Sequence, residues 1–261
     1  MVRVFTFASG KGGTGKTTMT INLGTSLAKF GKRTCIIDAD IGMANLGLSL
    51  GFENVPVTLH DVLAGKASIH DAIYEGPGGV QVIPSGISLH GFQQSDPERL
   101  RDVLKDLTEG LDFLLIDAPA GISRDGVVPL AVADDVILVV NPELSAIVDA
   151  MKTKILAEVV GGHVRGAIVN RASSEGAATV TQKMEKVLGT RVIGLVPEDP
   201  NVRKAASAKV PVVIKYPTSG SSVAIRRIAA GLGGISLDKE TVESKYNFID
   251  RFTKAIFRGK R

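Results

Sequence analysis

The residue types best suited to chemistry lie in one short segment, Gly10-Lys11-Gly12-Gly13-Thr14-Gly15-Lys16-Thr17-Thr18. Glycines allow backbone N–H groups to turn inward around a phosphate without clashes from Cβ atoms. At this spacing Lys16 would reach the β- and γ-phosphates, and the Thr17 hydroxyl would complete the ligand shell of a Mg²⁺ ion. This phosphate loop (residues 10–18) therefore predicts binding of a nucleoside triphosphate.

The elements on either side of the phosphate loop are those that such a loop requires. The apolar run 2–8 predicts a buried strand, and residues 19–28 have helical periodicity. In the order strand, loop and helix, the positive end of the helix dipole lies at the loop and favours an anion there. A chance glycine-rich turn would not have both neighbours in place.

Lys11 directly follows the first glycine of the loop, and with it the segment resembles the deviant Walker A motif of the ParA/MinD family of ATPases. The resemblance implies ATP as the nucleotide. It further implies that Lys11 crosses a subunit interface to touch the nucleotide of the second subunit. We therefore expect a homodimer in the ATP state, with Lys11 and Lys16 both acting in catalysis.

Acidic residues close two of the predicted strands. Asp117 ends the apolar run Leu114-Leu115-Ile116 and is the natural Walker B acid, which holds Mg²⁺ directly or through water. Asp38 ends the run 33–38 and Asp40 follows two residues later, so both could point into the same crevice. By resemblance they form the first switch segment, in which Asp40 positions the attacking water and Asp38 lies near the Mg²⁺ shell. Gly121 is expected to give the backbone of a second switch loop the freedom to approach the γ-phosphate.

Two further segments are candidates for the purine site. Asn170 and Arg171 end one predicted strand, and Pro197, Glu198 and Asp199 end the next. In the family, an Asn-Arg pair and a Pro-Glu-Asp segment at these places frame the adenine. Asn170 also has the donor and acceptor needed to read a purine edge. For residues 197–199 a turn-forming role remains an alternative.

The rest of the chain predicts an α/β fold, a doubly wound, mainly parallel sheet of about seven to eight strands with helices on both faces. Predicted strands after the first are 33–38, 80–84, 112–117, 135–140, 164–169 and 191–196. Predicted helices are 16–30, 59–64, 97–107, 124–132, 146–160, 177–188 and 221–232. We divide the chain into an ATPase domain (1–232), a linker (233–244) and a terminal segment (245–261).

Composition and charge exclude several classes of protein. The single cysteine, Cys35, forms no internal disulfide and cannot hold the iron–sulfur cluster of some relatives, which fits a reducing cytoplasm. The four histidines show no metal-ligand spacing, and neither a signal peptide nor a membrane span is expected. Residues 1–244 hold 25 basic and 26 acidic groups, so DNA is not expected as a partner of this near-neutral body.

The terminal segment carries six basic residues and one acidic residue, a net charge of +5. Projected as a helix, it has an apolar arc opposite a basic face, which is typical of a helix that lies on an anionic membrane surface. The predicted membrane contacts are Phe248, Ile249, Phe252, Ile256, Phe257, Arg251, Lys254 and Arg258. The alternative is a terminal helix that packs back on the body.

The order of motifs is most similar to the branch of the family that helps to place the cell division site. That resemblance implies a cytoplasmic protein that is peripheral on the inner face of the cell membrane when ATP is bound, and that acts through protein regulators. Two alternatives remain from the same family, a regulator of flagellar number and a DNA-partitioning ATPase. The body charge and the absence of an N-terminal helix-turn-helix pattern count against the second.

Overall fold

The computed structural model describes residues 2–173 and 177–237, and its centre is an eight-stranded sheet. The strand order is β3-β4-β2-β5-β1-β6-β7-β8, and every pairing is parallel except that of β3 with β4. The strands are β1 Arg3–Ser9, β2 Thr34–Asp38, β3 Tyr74–Glu75, β4 Gln81–Ile83, β5 Phe113–Ala120, β6 Asp135–Val140, β7 Val164–Ala172 and β8 Val192–Pro197.

Helices connect successive strands and cover both faces of the sheet. They are α1 Lys16–Lys29, α2 Leu46–Leu50, α3 Leu59–Leu63, α4 Leu89–Gln94, α5 Leu100–Leu107, α6 Val127–Ala131, α7 Leu144–Val159, α8 Ala177–Leu188, α9 Pro200–Ser207, α10 Val212–Lys215 and α11 Gly220–Gly233. This alternation confirms the predicted doubly wound α/β fold.

Side chains of the central strand alternate between two apolar layers, as a pleated strand requires. Phe5 and Phe7 of β1 pack in the layer that α1 and α11 cover, whereas Val4 and Ala8 pack on the opposite face. All four side chains are buried. Burial on both faces explains why the strands are near-continuous runs of apolar residues. Cys35 lies in this core as a free thiol whose pKa is raised by burial.

Several boundaries differ from the sequence prediction. The predicted helices 97–107 and 124–132 each begin with a 3₁₀ turn, at Pro97–Arg99 and Arg124–Gly126, before the α-helix starts. β5 continues three residues past Asp117, and β7 continues to Ala172. Prediction missed the two-residue strand β3 and the short helices α2, α4, α9 and α10, because elements of this length carry too little periodicity to be recognised.

The described part of the chain ends at residue 237, four residues after α11. The predicted membrane-contacting residues between 248 and 258, with the whole terminal segment, lie outside the described residues. Within residues 2–173 and 177–237, no helix is long and apolar enough to cross a bilayer.

Helix α1 lies so close to β2 that one of its positions has room only for glycine. A Cβ atom on Gly24 would lie 2.4 Å from Cγ2 of Ile36. We expect Gly24→Ala to lower the free energy of unfolding by about 1–3 kcal/mol, because the core must shift to admit the methyl group. Urea denaturation would measure the change from the transition midpoint.

Gly231 provides the matched control for this substitution. It also lies within a helix, α11, but a Cβ atom there would meet nothing within 4 Å. Gly231→Ala should raise the free energy of unfolding by up to about 1 kcal/mol, since alanine is the better helix former. Equal midpoint changes for both variants would contradict the close packing of α1 on the sheet.

Candidate functional site

The phosphate loop (residues 10–18) follows the carboxyl end of β1 and includes the first three residues of α1, which begins at Lys16. Gly13 and Gly15 adopt φ angles of +79° and +91°, in the left-handed region that favours glycine. A Cβ atom on Gly10 would lie 2.1 Å from the backbone carbon of Asp149 in α7. Backbone conformation therefore favours glycine at positions 13 and 15, and close packing requires it at position 10.

Asp117 is the centre of the site. Its carboxylate is fully buried on β5, and its register partners on the neighbouring strands are Phe7 of β1 and Asp38 of β2. The Lys16 ammonium donates to Oδ1 at 2.8 Å, and the Thr17 hydroxyl donates to Oδ2 at 2.6 Å. The structure thus brings the predicted phosphate-binding lysine together with two predicted magnesium ligands, Thr17 of the loop and Asp117 of β5.

Thr20 also contacts this carboxylate, and the sequence analysis did not identify it. Its hydroxyl donates to Oδ1 of Asp117 at 3.1 Å and is fully buried. Thr20 follows Lys16 by four residues, so both side chains lie on the same face of α1. The four-residue spacing from Lys16 was the available sequence signal for Thr20. By itself that spacing does not identify a helical threonine as a residue of a site.

Asp38 is the second buried carboxylate of the site, and it holds the loop that follows β2. Its two oxygens accept hydrogen bonds from the backbone N–H groups of Asp40 and Leu46, at 3.2 Å and 3.1 Å. Burial raises the pKa of Asp38 well above its usual range, and the negative charge of Asp117 raises it further, while Lys16 acts in the opposite direction.

Asp40 lies at the start of that loop and is only partly buried. One carboxylate oxygen accepts a hydrogen bond from the N–H group of Met43 at 3.0 Å. Partial burial raises the pKa of Asp40 above its ordinary value. Asp40 is thus fixed by its own loop while remaining partly accessible to water, in contrast to Asp38, which is sealed in the core.

Lys11 points away from the centre of the site, toward the start of α7. Its ammonium is 3.0 Å from Oε2 of Glu143 and donates to the Ser145 hydroxyl at 3.1 Å. The lysine side chain is about one-third exposed and that of Glu143 more than half. Sequence reasoning missed Glu143 and Ser145 because they lie more than 130 residues from Lys11.

The five predicted purine-site residues line one cavity at the carboxyl ends of β7 and β8. The cavity has a volume of about 60 Å³ and reaches Gly15 and Thr18 of the phosphate loop. Asn170 is the residue that joins the two regions, because its amide donates to the carbonyl of Thr14 at 2.7 Å. A Cβ atom on Gly15 would lie 2.3 Å from the same amide nitrogen.

The other purine-site candidates form walls of this cavity. Arg171 has a φ of +54°, and its Nε lies 3.5 Å from Oε2 of Glu198. The carboxylate of Asp199 caps α9 by accepting from the N–H of Asn201 at 2.9 Å, and it also accepts from the Ser221 hydroxyl at 2.8 Å. The side chain of Asp199 therefore has the turn-forming role that the sequence left open.

The residues present fit a triphosphate and a magnesium ion. The Thr14 hydroxyl is buried in the loop without a hydrogen-bond partner in the described structure, and a Cβ atom on Gly12 or Gly13 would meet nothing within 4 Å. Among the described residues, no three His, Cys, Asp or Glu side chains form a metal site. The hydroxyl of Thr17 and the carboxylate of Asp117 suit Mg²⁺, which usually takes few protein ligands and completes its shell with water and phosphate oxygens.

The raised pKa of Asp38 predicts a pH-dependent stability. The folded protein keeps this proton to higher pH than the unfolded chain, so stability falls as the pH rises from about 4 toward the folded pKa. The Asp38→Asn variant does not lose stability in this way. The difference in free energy of unfolding, variant minus unsubstituted protein, should therefore increase with pH. Urea titrations at a series of pH values would measure the difference.

Asp112→Asn is the control with the opposite sign. Hydrogen bonds from Arg33 hold the pKa of Asp112 below its ordinary value, so its contribution is present at neutral pH and lost on acidification. Relative stability of this variant should decrease as the pH rises. The same pH trend in both variants would contradict the assignment of a buried, high-pKa carboxyl to Asp38.

Comparison with known proteins agrees with this arrangement. The chain is 50% identical over 261 residues to an uncharacterised ATP-binding protein of Methanocaldococcus jannaschii, covering 100% of this chain and 98% of that protein. The structure of the septum site-determining protein MinD from Pyrococcus horikoshii, complexed with Mg-ADP, matches with a TM-score of 0.82 and 36% identity, covering 89% of this chain and 96% of that one.

A second solved structure and a family model lead to the same family. The MinC:MinD cell division protein complex of Aquifex aeolicus contains a chain that matches with a TM-score of 0.80 and 32% identity, covering 91% of this chain and 98% of that one. The model of the CobQ/CobB/MinD/ParA nucleotide binding domain matches residues 5–212. The chain therefore belongs to the ParA/MinD family of nucleotide-binding proteins, as a MinD-type ATPase.

Proposed function

We propose that this protein is an ATP-hydrolysing switch that dimerises with ATP, binds the membrane peripherally and takes part in placing the cell division site. The observation that carries the proposal is the meeting of Lys16 and Thr17 of the phosphate loop on the buried carboxylate of Asp117. Support for the MinD-type role comes from the likeness to MinD structures over about nine-tenths of the chain.

Lys16 and the loop amides would bind the β- and γ-phosphates of ATP. The Lys16 ammonium now pairs with Asp117, so phosphate oxygens would compete with this carboxylate for the lysine. Phosphoryl transfer depends on positioning and on neutralising charge, which the lysine and the inward-facing N–H groups supply. Thr17 and Asp117 would hold Mg²⁺, with Asp38 behind them, and the ion supplies charge neutralisation at the phosphates.

Asp40 is assigned to the attacking water. It lies next to the buried Asp38 but keeps part of its carboxylate accessible, and the Met43 N–H fixes one of its oxygens. A carboxylate in this position can orient a water molecule, which is the larger task when the transition state is loose. Asp38 has both oxygens engaged by backbone N–H groups, so we assign it to shaping the site.

The cavity beside the phosphate loop is assigned to the purine base. Asn170 borders both regions, and Arg171, Pro197 and Glu198 line the same cavity. Because the Asn170 amide already holds the Thr14 carbonyl, base binding and the shape of the phosphate loop would be coupled through one side chain.

Lys11 is assigned to the subunit interface. Its two contacts are partly exposed, and an ion pair of this kind contributes little to stability, so the lysine can leave Glu143 at a small cost. The triphosphate of a second subunit offers several charge-assisted hydrogen bonds in exchange. Dimerisation would thus depend on ATP in both subunits.

Membrane binding is assigned to the terminal segment. Its charge of +5 and its apolar arc suit an anionic surface, and each basic group near such a surface contributes about 1 kcal/mol. One short helix binds weakly because nucleation is costly, whereas two copies in one dimer bind far better through effective concentration. ATP would therefore control attachment, and protein regulators would act on the dimer.

Two lysine substitutions separate nucleotide binding from dimerisation. Lys16→Ala should weaken ATP binding about 100-fold, since charge-assisted bonds to the phosphates are lost. Lys11→Ala should leave ATP affinity within about twofold but prevent the ATP dimer. Calorimetry would measure affinity, and light scattering in the Asp40→Ala background, where hydrolysis should be slow, would measure dimerisation.

Lys186→Ala is the matched control, because this exposed lysine lies on α8, away from the site. It should behave like the unsubstituted protein in both assays. Unchanged ATP affinity in Lys16→Ala would contradict the phosphate-loop assignment, and a normal dimer in Lys11→Ala would contradict the interface role.

Membrane attachment is tested by co-sedimentation with anionic liposomes in ATP with Mg²⁺ and in ADP. The full chain should sediment in ATP, while a chain of residues 1–244 should not sediment in either state, because it lacks the basic apolar segment. Binding that does not depend on nucleotide would contradict the switch. Salt-sensitive DNA binding that survives the truncation would favour a partitioning ATPase instead.

A further inference from the structure

A second cavity lies at the corner where the amino end of β8 meets α11. It has a volume of about 280 Å³, and three arginines line it, Arg165 of β7, Arg191 before β8, and Arg227 of α11. The phosphate loop follows the carboxyl end of β1, so this arginine cavity is at the opposite edge of the sheet from the proposed ATP site.

The arginine cavity carries an excess of positive charge. Among the described residues that line it, none is acidic. Two carboxylates lie beside these lining residues. Asp135 pairs with Arg165 at 2.8 Å but is shared with Arg3 at 3.4 Å and with His163 at 2.8 Å, and Glu185 accepts a hydrogen bond from the backbone N–H of Val192 at 2.9 Å. Asp135 is therefore shared by two arginines and a histidine, and no ion pair in the described structure joins it to the other two cavity arginines.

Backbone contacts hold the cavity in shape. The Arg191 Nε donates to the carbonyl of Arg165 at 3.0 Å, and Arg3 donates to the carbonyl of Leu232 at 2.9 Å, which ties β1 to the last turn of α11. Side chains of Arg191 and Arg227 are exposed at the rim. Guanidinium groups at such a rim favour a phosphate, because their planar forks match its oxygens bidentately.

The cavity also has apolar walls, which distinguish a lipid headgroup from a free ion. Val192, Ile193 and Ile228 line it together with the arginines. A phosphate diester at the rim would meet the arginines, while its glycerol ester portion would contact these walls. Inorganic phosphate has no apolar part and would leave these walls without a contact.

The arginine cavity is close to the point where the described chain ends. The last turn of α11 lines it through Leu232, and residue 237 follows within five residues. The terminal segment begins eight residues later, a reach of at most about 25–30 Å. Because the terminal segment carries a charge of +5, it is not the occupant of a cationic cavity. The basic residues of the segment and the arginines of the cavity can, however, face the same anionic surface.

We infer that the arginine cavity is a binding site for the phosphate of an anionic phospholipid headgroup, so that the body of the protein contacts the membrane as well as the terminal segment does. This inference rests on the proposed membrane attachment and adds a second contact to it. The body would then be held in one orientation on the membrane rather than suspended from its linker.

The test compares the full chain with the double variant Arg191→Gln/Arg227→Gln. Vesicles of phosphatidylcholine with and without phosphatidylglycerol are sedimented with each protein in ATP and Mg²⁺. The variant should bind phosphatidylglycerol vesicles roughly tenfold more weakly, because two cations leave the membrane surface. Arg101→Gln/Lys183→Gln is the matched control, since it removes two exposed cations that do not line the cavity.

A soluble short-chain phosphatidylglycerol, used below its micelle concentration, tests recognition of the headgroup itself. It should raise the melting temperature of the full chain more than inorganic phosphate does at equal ionic strength, and it should raise that of the double variant less. Normal ATPase activity of the variant would show that it folds.

The outcomes separate this inference from the proposed function. If the full chain does not bind vesicles at all, the membrane attachment is wrong and this second contact falls with it. If the full chain binds but the double variant binds equally well, only the arginine cavity is wrongly assigned. Equal stabilisation by inorganic phosphate and by the short-chain lipid would overturn the assignment to a lipid headgroup.

Discussion

The buried pair of Lys16 and Asp117 is the interaction on which the rest of the site depends. Both side chains are less than one-tenth exposed, and removing one partner would leave an uncompensated charge in the core, at a cost of about 3–5 kcal/mol. Thr17 and Thr20 share the same carboxylate, so β5 fixes the first turn of α1 through three side chains. The loop that should bind phosphate is therefore positioned by β5, the neighbour of β1 in the middle of the sheet.

Strand order explains why the acids gather at this place. β1 lies between β5 and β6, with β2 on the far side of β5, so the carboxyl ends of β1, β2 and β5 meet at one edge. Ligands bind at such an edge in open α/β sheets. Asp38 and Asp117 face each other in register there, and their mutual repulsion, added to burial, is part of the reason that the pKa of Asp38 is raised.

The opposite edge of the sheet has a different character. Guanidinium groups from β7, from the residue before β8 and from α11 collect around one cavity, and a shared carboxylate, Asp135, pairs with Arg165. The structure thus has an edge rich in carboxylates, where the nucleotide is proposed to bind, and a cationic corner next to the point where the described chain ends. This charge distribution fits a protein whose proposed attachment to an anionic surface would depend on its nucleotide state.

The sequence by itself determined the fold class, the phosphate loop and the acids at the strand ends, because periodicity and loop spacing are local properties. Only the tertiary structure decided that Lys11 meets Glu143, and that Asn170 holds the carbonyl of Thr14. These partners are more than 130 residues apart and come together through strand order. Elements such as α2 and β3 were missed for the related reason that tertiary packing, rather than their own few residues, stabilises them.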